Sequence, residues 1–151
     1  MNDSNPTVED TIKFIQLAHH GQKDHGGVDY WNHPVEVMHR VNSPTHEEKL
    51  AALLHDVLED TDYTEKDLLD HGFTKSVVEM VSWLNFKHAR YHGMTYIEKI
   101  RHLKDQGPPS SVKVKLADNS HNSDPSRAFG DTEKHQGMMR RYQRARDILV
   151  Q

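Results

Sequence analysis

Residues 52–61 read ALLHDVLEDT, and this stretch governs how the rest of the chain is read. Four ionisable side chains, His55, Asp56, Glu59 and Asp60, fall within six residues whose neighbours are leucine, alanine and valine. Leu50, Leu53, Leu54, Val57 and Leu58 recur at i, i+3, i+4, i+7 and i+8, the spacing of a helix that buries one face. Upstream, Thr45 and Glu48 stand at capping-box spacing, so the pattern predicts one helix over residues 43–60. On such a helix His55 and Asp56 diverge by about 100°, whereas His55 and Glu59, and Asp56 and Asp60, are i, i+4 neighbours. Charges on a partly buried face cost far more than a leucine gains there unless something compensates them. A divalent cation would: imidazole nitrogen and carboxylate oxygen suit Mn2+, Fe2+, Co2+ or Zn2+, and the ion offsets buried carboxylates. One helix cannot aim a full ligand set at a point, so further ligands must come from elsewhere. A His-Asp pair alone is more often solvated than metal-bound; the rest of the chain shifts that balance.

Working outward, helical periodicity and punctuation recur along the sequence. Ile12, Ile15 and either Phe14 or Ala18 mark a helix over about 7–20, followed by a glycine-rich loop, GQKDHGGVDYWN (21–32). HPVEVMHRV (33–41) places Pro34 at a first helical turn. Thr64 caps EKDLLDHG (65–72), where Gly72 is a C-terminal stop. Val77, Val78, Val81 and Leu84 give TKSVVEMVSWL (74–84) an apolar face. A loop spans about 85–93, TYIEKIRHLKDQ (95–106) is helical up to GPP, and SSVKVKLADNSHN (110–122) reads as strand or helix on local propensity. SDPSRAFGD (123–131) reads as a loop and TEKHQGMMRRYQRARDILV (132–150) as a closing helix. No repeat or linker interrupts the pattern. The expectation is one all-α domain over residues 1–151, a compact bundle of roughly seven helices.

Composition bounds what such a domain does. The chain has 151 residues, 34% hydrophobic and 28% charged, with a formal net charge of −4. That charge argues against a nucleic-acid polymer as partner. No apolar run approaches the about 18 residues of a membrane span, and the first twenty residues carry no secretory-signal pattern. Zero cysteines exclude disulfides, thiolate ligands and cysteine nucleophiles and fit a cytoplasmic protein. Thirteen scattered histidines are the unusual feature, imidazole being the commonest nitrogen ligand. Oligomeric state stays open at this level, with a homo-oligomer among the options.

Three further segments complete a pattern in order: AHHGQKDHGGVDYWNHPVEV (18–37), VKLADNSHN (114–122) and RRYQRARDIL (140–149). With HDVLEDT (55–61) they resemble the HD-domain metal-dependent phosphohydrolases. The resemblance is specifically to the hydrolase domain of RelA/SpoT-type alarmone enzymes and to the small stand-alone alarmone hydrolases, and it spans about residues 12–149. It implies an HD-domain fold with His33, His55, Asp56 and Asp118 as ligands of a divalent metal, usually Mn2+ in this branch. It also implies Glu59 and Asp60 as the catalytic carboxylates that position and deprotonate water, and Asn122 and Tyr142 as nucleotide contacts. The implied reaction is 3′-pyrophosphohydrolysis of the nucleotide (p)ppGpp by metal-activated water. Alternatives are an HD-type nucleotidase or phosphomonoesterase on another small phosphorylated metabolite, or a non-catalytic nucleotide sensor.

The chain departs from the pattern in places. Asp24 stands where the family supplies a phosphate-clamping arginine, with Lys23 one residue earlier as the nearest substrate-binding cation. Asp29 replaces a proline, and residues 83–100 diverge, leaving Lys87 and Arg90 as candidate phosphate contacts. Arg140 and Arg141, beside Tyr142, are the residues of the basic last helix that would face phosphate. Trp31 and Trp83 read as core or rim aromatics, His19, His20 and His25 as surface histidines of a loop, and His121 as structural.

Overall fold

The computed structural model describes residues 5–127 and 133–151, and among these it is built of helices alone. In chain order they are α1 (Val8–Ala18), α2 (Asn32–Arg40), α3 (His46–Leu54), α4 (Val57–Asp60), α5 (Glu65–Asp70), α6 (Lys75–Leu84), α7 (Tyr96–Gln106), α8 (Pro109–Asn122) and α9 (Glu133–Leu149). Short 3₁₀ turns lie at Ala89–Tyr91 and Pro125–Arg127. A single antiparallel bridge joins Lys23 and Asp29 within the glycine-rich loop. Residues 128–131 of the expected loop 123–131, and Thr132 of the expected last helix, lie outside the described residues.

The middle of the bundle is α3, which packs against α1, α2, α6 and α8. Its run from Leu50 to Leu54 is wholly buried, each leucine contributing about 1.5–3 kcal/mol relative to exposure. The Thr45–Glu48 capping box forms in full, and Thr64 makes a second with Asp67. Val77, Val78, Val81 and Leu84 of α6 face this core as their spacing predicts. Gly72 has φ +99°, a conformation that closes α5 and that side chains avoid. Residues 110–122, ambiguous between strand and helix, are helical; Pro109 starts α8, which is clamped between α2 and α9. Among the described residues no helix is long and apolar enough to cross a membrane.

One departure from the sequence reading matters most. The predicted helix 43–60 is interrupted at His55–Asp56, so α3 ends at Leu54 and the one-turn α4 begins at Val57. The backbone tightens there, His55 N–H reaching back three residues to the Ala52 carbonyl. The His55 ring seals the break by donating from Nδ1 to the same carbonyl at 2.6 Å. Every apolar position of the run stays in register with the core, so periodicity alone gives no warning of the break.

Candidate metal centre and active-site cavity

The break allows two adjacent residues to aim at one point. His55 Nε2 lies 3.0 Å from Asp56 Oδ2, although the two side chains would diverge on a continuous helix. Asp118, one turn from the end of α8, brings Oδ1 to 3.4 Å from His55 Nε2 and 2.8 Å from His33 Nε2. His33, in the first turn of α2, completes the set with Nε2 3.9 Å from Asp56 Oδ2. All four residues are buried. Donors held at about 2.1 Å around one ion stand about 3.0–3.4 Å apart at right-angle to tetrahedral geometry; the His55 separations of 3.0 and 3.4 Å match this, and the His33 separations of 2.8 and 3.9 Å lie to either side of it.

Two more observations test whether the residues fit an ion. His55 spends Nδ1–H on the Ala52 carbonyl, which turns Nε2 to the cluster, and that atom is buried without a well-formed hydrogen bond. Electrostatically the cluster draws positive charge. Burial alone would push the His55 imidazole below its ordinary value, but Asp56 and Asp118 outweigh it and hold it well above. For Asp56 and Asp118 burial favours the neutral acid; His55 for the one, and Lys115 with His55 for the other, reverse this and keep both ionised. Two nitrogens and two carboxylates suit a borderline divalent ion, and they could hold one.

The cluster residues are themselves held. The Tyr30 hydroxyl donates to Asp56 Oδ2, Lys115 Nζ to Asp118 Oδ2 at 3.1 Å, and Asn122 Nδ2 to Asp118 Oδ1 at 3.1 Å. His121 stacks on His33 with ring centroids 5.0 Å apart, and their Nδ1 atoms are 2.8 Å apart. If Nε2 of His33 binds an ion, its ring proton sits on Nδ1 and His121 must accept it. Burial, His33 and the guanidinium of Arg127 push His121 down to about 4, so at neutral pH it is free to accept. The structural role expected of His121 is thus that of fixing a ligand's tautomer. His121→Ala is expected to weaken ion binding about 10–100-fold, measured by calorimetric titration; an unchanged affinity would remove this role.

Glu59 and Asp60 ride on α4, one turn past the ligands. Phe86 N–H donates to Glu59 Oε1 at 3.0 Å. Burial, then the Asp56 charge, raise Glu59 above its ordinary value; burial, Asp56 and Glu59 push Asp60 up to about 6. The turn is gripped from both sides: Gln22 Nε2 donates to the Asp60 carbonyl at 3.1 Å and Lys87 Nζ to the Glu59 carbonyl at 2.8 Å. Both carboxylates face a cavity of about 390 Å³, within the range of about 300–1,000 Å³ typical of small-molecule sites.

That cavity is lined by the acidic residues Asp56, Glu59, Asp60 and Asp118 and also by Tyr96, Tyr142, Arg141 and Lys99. The two tyrosine rings meet edge to face at 6.4 Å, and the Arg141 guanidinium lies 4.9 Å over Tyr96. Lys23, Asn122 and Tyr142 line it as expected from the sequence, as does Arg141 but not Arg140. Lys87 does not line it; it lies behind α4, 3.8 Å from Asp60 Oδ1 and largely exposed. Arg90 does not line the cavity; it donates to the Ser82 carbonyl at 2.8 Å and lies over Trp83.

Two further expectations are corrected. His19 is buried at 1% exposure, not on the surface, because its Nδ1 engages Gln22 Oε1 and its ring packs on Tyr30. The charge of Asp24 is tied up within its loop. Oδ1 accepts from the Gly26 and Val28 N–H groups at 2.8 and 2.9 Å, while Oδ2 lies 3.8 Å from an Arg127 nitrogen. Lys23 is likewise paired, with Asp29. Sequence reasoning missed Lys115, Tyr96 and Arg127. The motif VKLAD carried a signal only for the first, and Tyr30 was visible merely as the tyrosine three residues before His33.

Two histidines and two aspartates converging from separate helices, with a carboxylate pair one turn on and a polar cavity above, define an all-helical protein organised around a mixed nitrogen–oxygen cation centre. The chain belongs to the HD-domain family, whose profile matches residues 11–124 and so includes all four cluster residues and both α4 carboxylates. It is 39% identical over 112 residues, 70% of its length, to a guanosine-3′,5′-bis(diphosphate) 3′-pyrophosphohydrolase of Haemophilus influenzae. It is 30% identical over 139 residues to the bifunctional (p)ppGpp synthase/hydrolase SpoT of Escherichia coli. The chain spans only 16% and 18% of the lengths of these two relatives. A solved structure, described as a metazoan ortholog of SpoT that hydrolyses ppGpp and plays a role in starvation responses, superposes with a TM-score of 0.78. That match covers 99% of this chain and 88% of the other at 20% identity, and shows the same fold.

Proposed function

We propose that this protein is a Mn2+-dependent phosphohydrolase of the cytoplasm that removes the 3′-pyrophosphate from (p)ppGpp. The observation that carries the reading is the shared cavity: Asp56, Asp118, the Glu59–Asp60 pair and Tyr142 all border one space, with His33 and His55 held directly behind Asp118 and Asp56. The names and activities of the relatives support the choice of nucleotide. The nucleoside lies against Tyr142 and Tyr96, and the 3′-diphosphate reaches the acidic residues, where Asn122 donates to Asp118. When bound, the ion supplies a Lewis acid that acidifies water and offsets charge developing on phosphorus. Glu59, oriented by Phe86 N–H, takes a proton from the attacking water, and Asp60 beside it holds that water in line. The water oxygen bonds to the phosphorus nearest the ribose, the bond from that phosphorus to the ribose 3′-oxygen breaks, and the proton returns to the leaving oxygen. The products are pyrophosphate and the nucleoside 5′-di- or triphosphate with a free 3′-hydroxyl.

A second reading, a nucleotidase acting on another small phosphorylated metabolite, is favoured by one observation. Asp24 occupies the loop position from which a phosphate-clamping arginine is expected, and it faces Arg127. A Mn2+-supplemented screen of nucleotides for phosphate and pyrophosphate release separates the two. Pyrophosphate from (p)ppGpp is the expected result; orthophosphate from monophosphates moves the assignment to the second reading. Silence towards every substrate leaves a nucleotide sensor.

A further inference from the structure

Any phosphate entering the cavity meets Asp56, Glu59, Asp60 and Asp118 together. A divalent ion offsets only part of that charge, and most of the side-chain cations near the cavity are already engaged. Lys23 is paired with Asp29, Arg127 faces Asp24, Lys99 donates to the Phe86 carbonyl at 3.0 Å, and Arg141 lies over Tyr96.

Lys115 is different. It sits on α8 one turn before Asp118, so Lys115, Asp118, Asn119 and Asn122 present one face to the cavity at i, i+3, i+4 and i+7. It is 9% exposed, yet it forms part of the cavity wall. Nζ donates to Asp118 Oδ2 at 3.1 Å and lies 4.4 Å from the centre of the Phe86 ring and 5.9 Å from that of Tyr96. The rings stabilise the cation through their faces without accepting strong hydrogen bonds. One of three N–H groups is therefore committed to a carboxylate, beside the ligand cluster and within the wall that substrate must touch. An ion pair buried only for packing is a poor stabiliser compared with apolar side chains of the same volume, so a purely architectural role explains little of this arrangement.

We propose that Lys115 is a phosphate-binding residue of the reaction site, donating from Nζ to the phosphoryl group next to the metal cluster. It acts as a fixed cation that lets a polyanion approach four carboxylates, and it strengthens its hold as negative charge grows on the phosphoryl oxygens. The inference rests on the phosphohydrolase reading of the cavity, but inorganic phosphate alone tests it. In zinc-loaded protein labelled with 15N-lysine, the Lys115 Nζ resonance is expected to shift saturably as phosphate is added. Lys115→Met, with ion content verified, is expected to bind phosphate at least about tenfold more weakly, and Lys115→Arg to recover most of the loss. An Nζ signal that stays in place at phosphate saturation overturns the proposal. So does a Lys115→Met protein that keeps its ion and binds phosphate as the parent does. Should that variant lose its ion or fail to fold, the shift in the unmodified protein decides the matter alone. A silent nucleotide screen beside a positive phosphate titration would overturn the hydrolase reading and leave the Lys115 assignment standing.

Discussion

Asp118→Asn is expected to abolish ion binding and turnover together and to lower the melting temperature by roughly 10 °C. The substitution keeps the size and shape of the side chain and removes its charge. Asp118 serves four partners at once: Oδ1 faces His33 and His55 in the cluster, Oδ2 accepts from Lys115, and Asn122 donates to Oδ1. A neutral amide is a weak ligand for a divalent ion, and its NH₂ group cannot accept from the donors that now surround the carboxylate. It also leaves Lys115 buried without its nearest counter-charge. Breaking a buried pair by removing one partner costs about 3–5 kcal/mol, and at this chain length each kcal/mol moves the midpoint by about 2–4 °C. The control is Asp70→Asn, which removes the exposed partner of Lys66 one turn away and is expected to leave ion content and melting unchanged. Metal analysis after dialysis and scanning calorimetry give the comparison. Full ion content in the Asp118 variant would remove that residue from the ligand set.

How much of this was legible in the amino-acid sequence depends on the range over which the cause acts. Caps and faces are local, and they read correctly: Thr45 with Glu48, Thr64, and the valines of α6 sit as their spacing requires. The break at His55–Asp56 was hidden because Leu53, Leu54, Val57 and Leu58 keep a helical rhythm across it. What opens the helix is a side-chain bond, His55 Nδ1 to the Ala52 carbonyl, which competes with the backbone ladder. His33 and Asp118 meet across 85 positions of sequence, beyond the reach of any periodicity, and only the ordered resemblance of whole segments joined them. His19 was misread for a similar reason: loop histidines are usually exposed, and its burial depends on Gln22 and Tyr30 closing over it. Lys115 was passed over because nothing local in VKVKLA sets one lysine apart from the other. The aromatic faces of Phe86 and Tyr96, which allow it to stay inside, come from a stretch whose sequence matched nothing expected.

The other large effect concerns Glu59 and separates chemistry from architecture. Glu59→Gln is expected to cut turnover by about 10²–10⁴ while the ion stays bound and the fold stays intact. Gln fits the same space, and its amide oxygen can accept from Phe86 N–H as Glu59 Oε1 does at 3.0 Å. The group lost is the one able to take a proton from water. Stability should move the opposite way from activity. Burial, reinforced by Asp56, raises the Glu59 carboxyl above its ordinary value, so the charged form is less favoured in the folded chain than in the unfolded one. At pH above the ordinary carboxyl range the group therefore opposes folding, and a neutral amide removes the opposition. The penalty is absent below the unfolded-state value, where the carboxyl is protonated in both states. The melting temperature of the Gln variant should thus equal or exceed that of the parent at pH 7, with the difference vanishing at acidic pH. A residue kept only for packing or for holding α4 would show the reverse: turnover falling in proportion to stability, with no pH at which the two proteins separate. Turnover that collapses in a protein at least as stable as its parent, and still carrying its ion, marks a carboxylate retained for its proton affinity at a cost to the fold.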